Sequence, residues 1–143
     1  MELINDNINL YFDKIPHFND FAKLPIINTY INDICVNTLI DSGSIKSLIT
    51  NNALMKTNLK YLLDDNTIST NYGIGIVRSN GKIWYCEIKF NDNLILPVSF
   101  DVINDLHSNI DIILGNDFIN HHCDNINFKE KTVSIMENII KYN

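Results

Sequence analysis

A mainly β fold is predicted, on three observations. Ile and Val dominate the apolar residues, the apolar runs are short, and Asn, Asp or Gly separates most of them, which is the pattern of strands joined by tight turns. The 143 residues are 45% apolar and 20% charged with only 5 Gly and 3 Pro, the balance of one folded domain.

Taken in chain order, residues 1–24 fit no period well, since Leu3, Ile8, Phe12 and Ile15 match neither helix nor strand spacing and Pro16 interrupts them. They are set apart as an N-terminal extension. From Pro25 two strands are expected, Ile26 to Ile31 and Ile34 to Ile40, around Asn32-Asp33, a pair that tolerates positive φ and suits a two-residue hairpin turn. Ser47 to Thr50 reads as a short strand, with Thr50 positioned to cap a brief helix over residues 51–56. Further strands are expected at Ile68 to Tyr72, Ile74 to Val77, Lys82 to Phe90 and Leu94 to Ile103, with Asn91-Asp92-Asn93 as a turn and Pro97 at an edge or bulge. Asn80-Gly81 suits either a hairpin turn or a bulge in one long bent strand. Ile110 to Leu114 is a compact apolar strand ending at Gly115, followed by a short helix over residues 116–122, and Ile126 to Phe128 and Thr132 to Ile135 close the domain. The division is therefore 1–24, an extension; 25–136, the domain; and 137–143, a C-terminal tail.

Composition excludes several functions. With 17 acidic and 11 basic residues the formal charge is −6, which repels a phosphate backbone and argues against a nucleic-acid partner. No apolar run approaches the roughly 20 residues that cross a bilayer as a helix, so no membrane role is expected. Met1 to Asp6 lacks the basic and apolar regions of a secretory signal. Cys35, Cys86 and Cys123 are odd in number and without paired spacing, which suits a reducing cytoplasmic or nuclear setting. Ile and Asn together make about a third of the chain, so individual asparagines carry little signal.

The chemistry concentrates at Thr38-Leu39-Ile40-Asp41-Ser42-Gly43-Ser44, where an apolar strand ends abruptly in a carboxylate, a hydroxyl and a glycine. A carboxylate at the end of a buried strand is costly unless its loop hydrogen-bonds it or a function retains it. Asp-Ser-Gly by itself is also ordinary turn chemistry. About seventy residues later a second apolar strand closes on glycine, Ile110-Asp111-Ile112-Ile113-Leu114-Gly115-Asn116-Asp117. Metal binding by His107, His121, His122 and Cys123 lacks a zinc spacing, and no Gly-x-Ser-x-Gly marks Ser42 or Ser44 as a nucleophile. No metal and no cofactor is expected. Asp117 is read as an anchor of the short helix.

The two motifs in this order resemble the retroviral-like, or retropepsin-type, aspartic proteases. In them an apolar pair precedes Asp-Thr/Ser-Gly-Ala/Ser, here Leu39-Ile40-Asp41-Ser42-Gly43-Ser44, and a later apolar-apolar-Gly, here Ile113-Leu114-Gly115, packs behind the catalytic loop. Tyr72-Gly73-Ile74-Gly75 lies where the family carries the tip of its flap. The chain is most similar to the protease domain of the DNA-damage-inducible ubiquitin-shuttle proteins. The likeness runs from about Ile26 to Ile135 and includes Gly81 eight positions after Gly73, Leu96-Pro97-Val98-Ser99-Phe100, and Leu114-Gly115-Asn116-Asp117 followed by His122. It departs in Ser44, where alanine is commoner, and in having no room for ubiquitin-like or ubiquitin-associated domains. By this likeness Asn80-Gly81 falls inside the strand after the flap.

The resemblance implies a closed β-barrel-type acid protease fold with one or two short helices, and a homodimeric aspartic endopeptidase acting on extended peptide or protein substrates. Asp41 would be catalytic; Ser42, Gly43 and Ser44 would form the active-site loop, with Ser42 bonding across the dimer. Tyr72, Gly73, Ile74 and Gly75 would form a substrate-binding flap, and Ile113, Leu114 and Gly115 would support the loop. The chain contains one Asp-Ser-Gly, so two copies must combine to supply two carboxylates. The alternative function is a catalytically silent dimeric scaffold that binds extended peptides in the same cleft.

Overall fold

A computed structural model describes residues 24–66, 79–106 and 109–142. Strands β1 (Ile26–Ile31) and β2 (Ile34–Ile40) pair antiparallel from Ile26↔Leu39 to Ile31↔Ile34, so Asn32 and Asp33 form the turn, at φ 51° and 65°. β3 (Leu48–Thr50) runs into α1 (Asn51–Lys56), and the Thr50 side chain accepts from the Ala53 N–H at 3.2 Å, the expected cap. A 3₁₀ turn over Lys60–Leu62 and the two-residue β4 (Leu63–Asp64) follow, neither anticipated.

β5 (Gly81–Asn91) and β6 (Leu94–Ile103) form the long central pair, with register shifts between Ile83 and Cys86 and between Lys89 and Asn91. The first shift exposes both Trp84 and Tyr85 on consecutive positions, as a bulge does. Asn80-Gly81 is not a hairpin turn: Asn80 N–H bonds Val102 O at 2.7 Å and Gly81 starts β5 with φ 140°. Pro97 pairs with Glu87 in β5, while among the described residues β6 gains its second neighbour, β3, only at Asp101, so the proline occupies an edge stretch of the described sheet where no N–H is required.

β7 (Ile112–Leu114), α2 (Asn116–His122), β8 (Cys123–Asn127), β9 (Thr132–Ile135) and β10 (Asn138–Lys141) complete the chain. Strand β10 lies inside the stretch read from the sequence as a tail. The order β1-β2-β7-β3-β6-β5 closes on itself through Tyr30↔Lys89 into a six-stranded barrel, with β4 on the edge of β5. Ile27, Ile31, Ile49, Ile83, Ile88 and Ile112 are at most 1% exposed inside it, each burial contributing about 1.5–3 kcal/mol. The separate sheet β10-β9-β8 inserts Val133 and Ile135 into the same core. The strands expected at 68–72 and 74–77 lie outside the described residues.

Candidate active site

Two parallel strands create the site. β2 and β7 run side by side with Ile40 opposite Leu114, so Asp41 and Gly115 emerge together at the same end of the barrel. The main chain seals this: Asp41 N–H donates to Leu114 O at 3.0 Å. Below, Asp111 holds the strands in register by accepting from Asn37 N–H and from Lys56 Nζ, both at 2.9 Å.

Asp41 is half-buried, while Ser42 and Gly43 are exposed. Oδ1 of Asp41 accepts from the Gly43 N–H at 2.8 Å, which fixes the carboxylate plane against its own loop. Ser44 is buried and its hydroxyl donates to Lys46 O at 2.7 Å, so it braces the loop from within. Asn116 ties the loop to α2 from both ends, its N–H donating to Ser44 O at 2.8 Å and its side chain to Ser42 O at 2.7 Å.

Gly115 is required by space. A Cβ there would stand 2.5 Å from Lys46 O and 2.6 Å from Ser44 O, both backbone atoms. Its N–H instead bonds the Ser47 hydroxyl at 3.1 Å, and that hydroxyl donates onward to Asp117 Oδ1 at 2.7 Å. Asp117 also accepts from Ser47 N–H at 3.0 Å through Oδ2. Its role as an anchor is thus the one expected, except that it grips the loop as well as its own helix. Leu114 is buried and Ile113 half-buried in the strand behind.

The sequence reading missed Asn116, Ser47 and Asp117 as parts of this floor. Their roles depend on partners about seventy residues away, which no local pattern displays. Tyr72, Gly73, Ile74 and Gly75 lie outside the described residues. The stem of that excursion is described, however: Leu63 pairs with Ile83 and Asp64 with Lys82. His121 and His122 are consecutive on α2 with ring centroids 6.2 Å apart, and His121 Nδ1 lies 3.1 Å from Asp117 O. Cys86, inside β5, has its thiol pushed up to about 12 by burial, so it is protonated near neutrality and is no nucleophile.

The comparisons with known proteins agree with this geometry. A family model described as aspartyl protease matches residues 18–127. Among solved structures the chain is similar to the retroviral protease-like domain of Ddi1 from Leishmania major, with a TM-score of 0.72 and 22% identity over 87% of this chain and 96% of that one. It is also similar to the EIAV protease complexed with the inhibitor HBY-793, with a TM-score of 0.53 and 22% identity over 73% of this chain and 93% of that one. None of the curated proteins compared with it matches. With a barrel that brings Asp41-Ser42-Gly43 onto Leu114-Gly115 and a family match over most of its length, the chain belongs to the aspartyl protease family and has the retropepsin-like fold.

Proposed function

We propose that the protein is a homodimeric aspartic endopeptidase in which each chain contributes Asp41. The observation that carries this reading is a carboxylate held by Gly43 N–H at the end of a barrel strand, on a loop braced against β7 and α2, with one such loop per chain. Two carboxylates brought close share one proton, because both cannot ionise easily at short range. The protonated member polarises the scissile carbonyl while the ionised one takes a proton from water. Water oxygen then bonds to the carbonyl carbon, and collapse of the tetrahedral adduct breaks the C–N bond as the amine nitrogen is protonated.

The dimer is supported by the C-terminal sheet. Among the described residues β10 has a neighbour on one side only, and Ile139 on it is 73% exposed, an apolar edge of the kind a second copy can pair with. A flap is supported by the stem register: Gly73 lies midway between the paired Asp64 and Lys82, so an excursion continuing that pairing would turn there, where Gly73 and Gly75 tolerate tight backbone. Extended peptides fit such a groove because exposed strand edges bind main chain and admit alternate side chains to pockets. The three free thiols suit a cytosolic or nuclear location.

The test is a pool of unstructured peptides incubated with wild-type protein and with Asp41→Asn across acidic to neutral pH. Wild type cuts between apolar residues, with a bell-shaped profile whose limbs belong to the pair, and is indifferent to chelators. Asp41→Asn keeps its fold and loses on the order of 10⁴-fold in rate. Binding of the same peptides without cleavage by wild type would favour the silent scaffold.

A further inference from the structure

Asp101 is the one buried charged side chain among the described residues, at 2% exposure, and its Oδ2 is the buried side-chain oxygen with no hydrogen bond. A buried carboxylate is costly to leave incompletely partnered, so its position calls for a cause. Asp101 lies on β6 between Leu48 of β3 and Lys82 of β5, its partners in register. Two lysines approach it from opposite neighbours. Lys46 Nζ, from the end of the active-site loop, is 3.8 Å from Oδ2, and Lys82 Nζ, from the stem at which residues 65–81 return, is 3.7 Å from Oδ1.

The contacts continue on both sides. Asp101 N–H donates to Ser47 O at 3.1 Å, and Ser47 holds Gly115 and Asp117 in the floor of the site. Lys82 Nζ lies 4.6 Å from the centroid of the Trp84 ring, whose indole N–H donates to Asp64 Oδ2 at 2.8 Å. Asp64 and Lys82 are the two sides of the stem. One buried charge therefore touches the active-site loop through one arm and both stem strands through the other.

We infer that Asp101 is a positioning residue that couples the active-site loop to the stem of the 65–81 excursion through Lys46 and Lys82. The role rests on the protease reading, because Lys46 belongs to the loop that carries Asp41 and Lys82 to the β4–β5 pair beside it. Both cations share one carboxylate, so a shift of either arm changes the pull on Asp101 and through it on the other arm. A salt bridge serving stability alone would not require that its two cations come from these two elements.

The coupling is read by mutating one arm and observing the other. In Lys82→Met, backbone hydrogen exchange rises about fivefold at residues 43–47, the lower end of coupling between linked sites, and in Lys46→Met it rises at residues 80–83. Asp101→Asn loosens both, and Lys82→Arg, which keeps the charge, restores wild-type protection. Lys89→Met, which removes only the surface pair with the exposed Asp92 at 3.3 Å, leaves both segments unchanged. With an extended peptide, Lys82→Met and Asp101→Asn raise KM more than they lower kcat. Exchange changes confined to the mutated arm, or equal to the change in global stability, overturn the coupling. Cross-loosening with KM and kcat at wild-type values overturns the positioning role. If Asp101→Asn fails to fold, the two lysine variants decide. A wild-type protein that cuts nothing refutes the protease reading, while the exchange experiment still decides the coupling.

Discussion

The β1–β2 hairpin turns on Asn32 and Asp33, at φ 51° and 65°, and the β9–β10 hairpin turns on Met136 and Glu137, at φ 46° and 68°. Both are two-residue turns with two consecutive positive φ values, the geometry that matches strand twist. Asn and Asp adopt it readily, whereas Met and Glu each give up about 1–2 kcal/mol relative to right-handed backbone. The second turn is held from outside: Glu137 N–H donates to Asp124 Oδ2 at 2.7 Å, Met136 N–H to His122 O at 3.0 Å, and the strand before it buries Val133 and Ile135. The first hairpin is specified by its own residues and delivers Asp41 in register. The second is imposed by packing and neighbours, a conflict between local preference and global fold that tertiary contacts override.

The largest structural effect is expected where the first hairpin meets its support. Gly115 has an ordinary φ of −94°, so Gly115→Ala acts only through the 2.5 Å and 2.6 Å approaches to the Lys46 and Ser44 carbonyls. Such overpacking costs about 1–3 kcal/mol, or roughly 2–4 °C of Tm per kcal/mol. A thermal melt checks the stability, and a parallel loss of peptide turnover checks that the loop has moved. Unchanged melting would mean that the floor yields easily and that the glycine is not structurally required.

On the second hairpin, Ile139→Asp leaves the folded chain intact, because the side chain is already 73% exposed, but places a charge on the outer strand of the described C-terminal sheet. If the proposed dimer pairs through this edge, sedimentation across protein concentration shows it dissociating at about tenfold lower affinity or weaker, equivalent to about 1.4 kcal/mol. The same substitution in the first hairpin, at the exposed Tyr30, leaves association unchanged. Equal effects at both sites would erase the proposed distinction between a delivering hairpin and an associating one.

These contrasts account for what could be read from the chain. The β1–β2 hairpin, the Thr50 cap, the helix after Gly115 and the long β5–β6 pair were legible because each is written in adjacent residues: a turn pair, a capping hydroxyl, a glycine stop, and two strand-length runs on either side of Asn91-Asp92-Asn93. Strand β10 was not, because Met136-Glu137 carries no turn signal and Asn138 to Lys141 is too short to declare a period. At the site, Asp41-Ser42-Gly43 and Leu114-Gly115 were visible as motifs. Asn116 and Ser47 were invisible as loop braces, and Asp117 was legible as a helix anchor but not as a grip on Ser47, because those bonds join residues about seventy positions apart; Asp101 read as one more residue in an apolar strand although it is buried between two lysines.

Cysteine chemistry sharpens the same comparison through pH. Burial, with Glu87 beside it, pushes the Cys86 thiol from 9.0 up to about 12, and burial first, then Asp124, pushes up that of Cys123 next to the second hairpin. A raised thiol means that the folded state disfavours the thiolate, so this stability is complete below the unfolded value and is lost as pH rises toward the folded one. Urea midpoints are expected to fall between pH 9.0 and about 12, with a shallower fall in Cys86→Ala. Near neutrality alkylation should mark exposed Cys35 first, then Cys123 as the C-terminal sheet opens locally, and buried Cys86 last. Labelling of Cys86 as fast as Cys123 would mean that barrel and sheet open together.

The smallest effect tests the strain itself. Glu137→Gly removes the steric penalty of a φ of 68° while keeping the N–H that Asp124 accepts, so the native state is relieved with no hydrogen bond lost. Glycine gives back part of that gain by loosening the unfolded chain. The net is a stabilisation of about 0.5–1 kcal/mol, read as a higher urea midpoint at unchanged slope. Asp33→Gly, at φ 65° in the other turn, lacks that relief because aspartate already tolerates the conformation, and it is expected to be neutral or slightly destabilising. If Glu137→Gly and Asp33→Gly shift the midpoint equally, the Met136-Glu137 turn stores no strain, and the two hairpins differ only in what surrounds them.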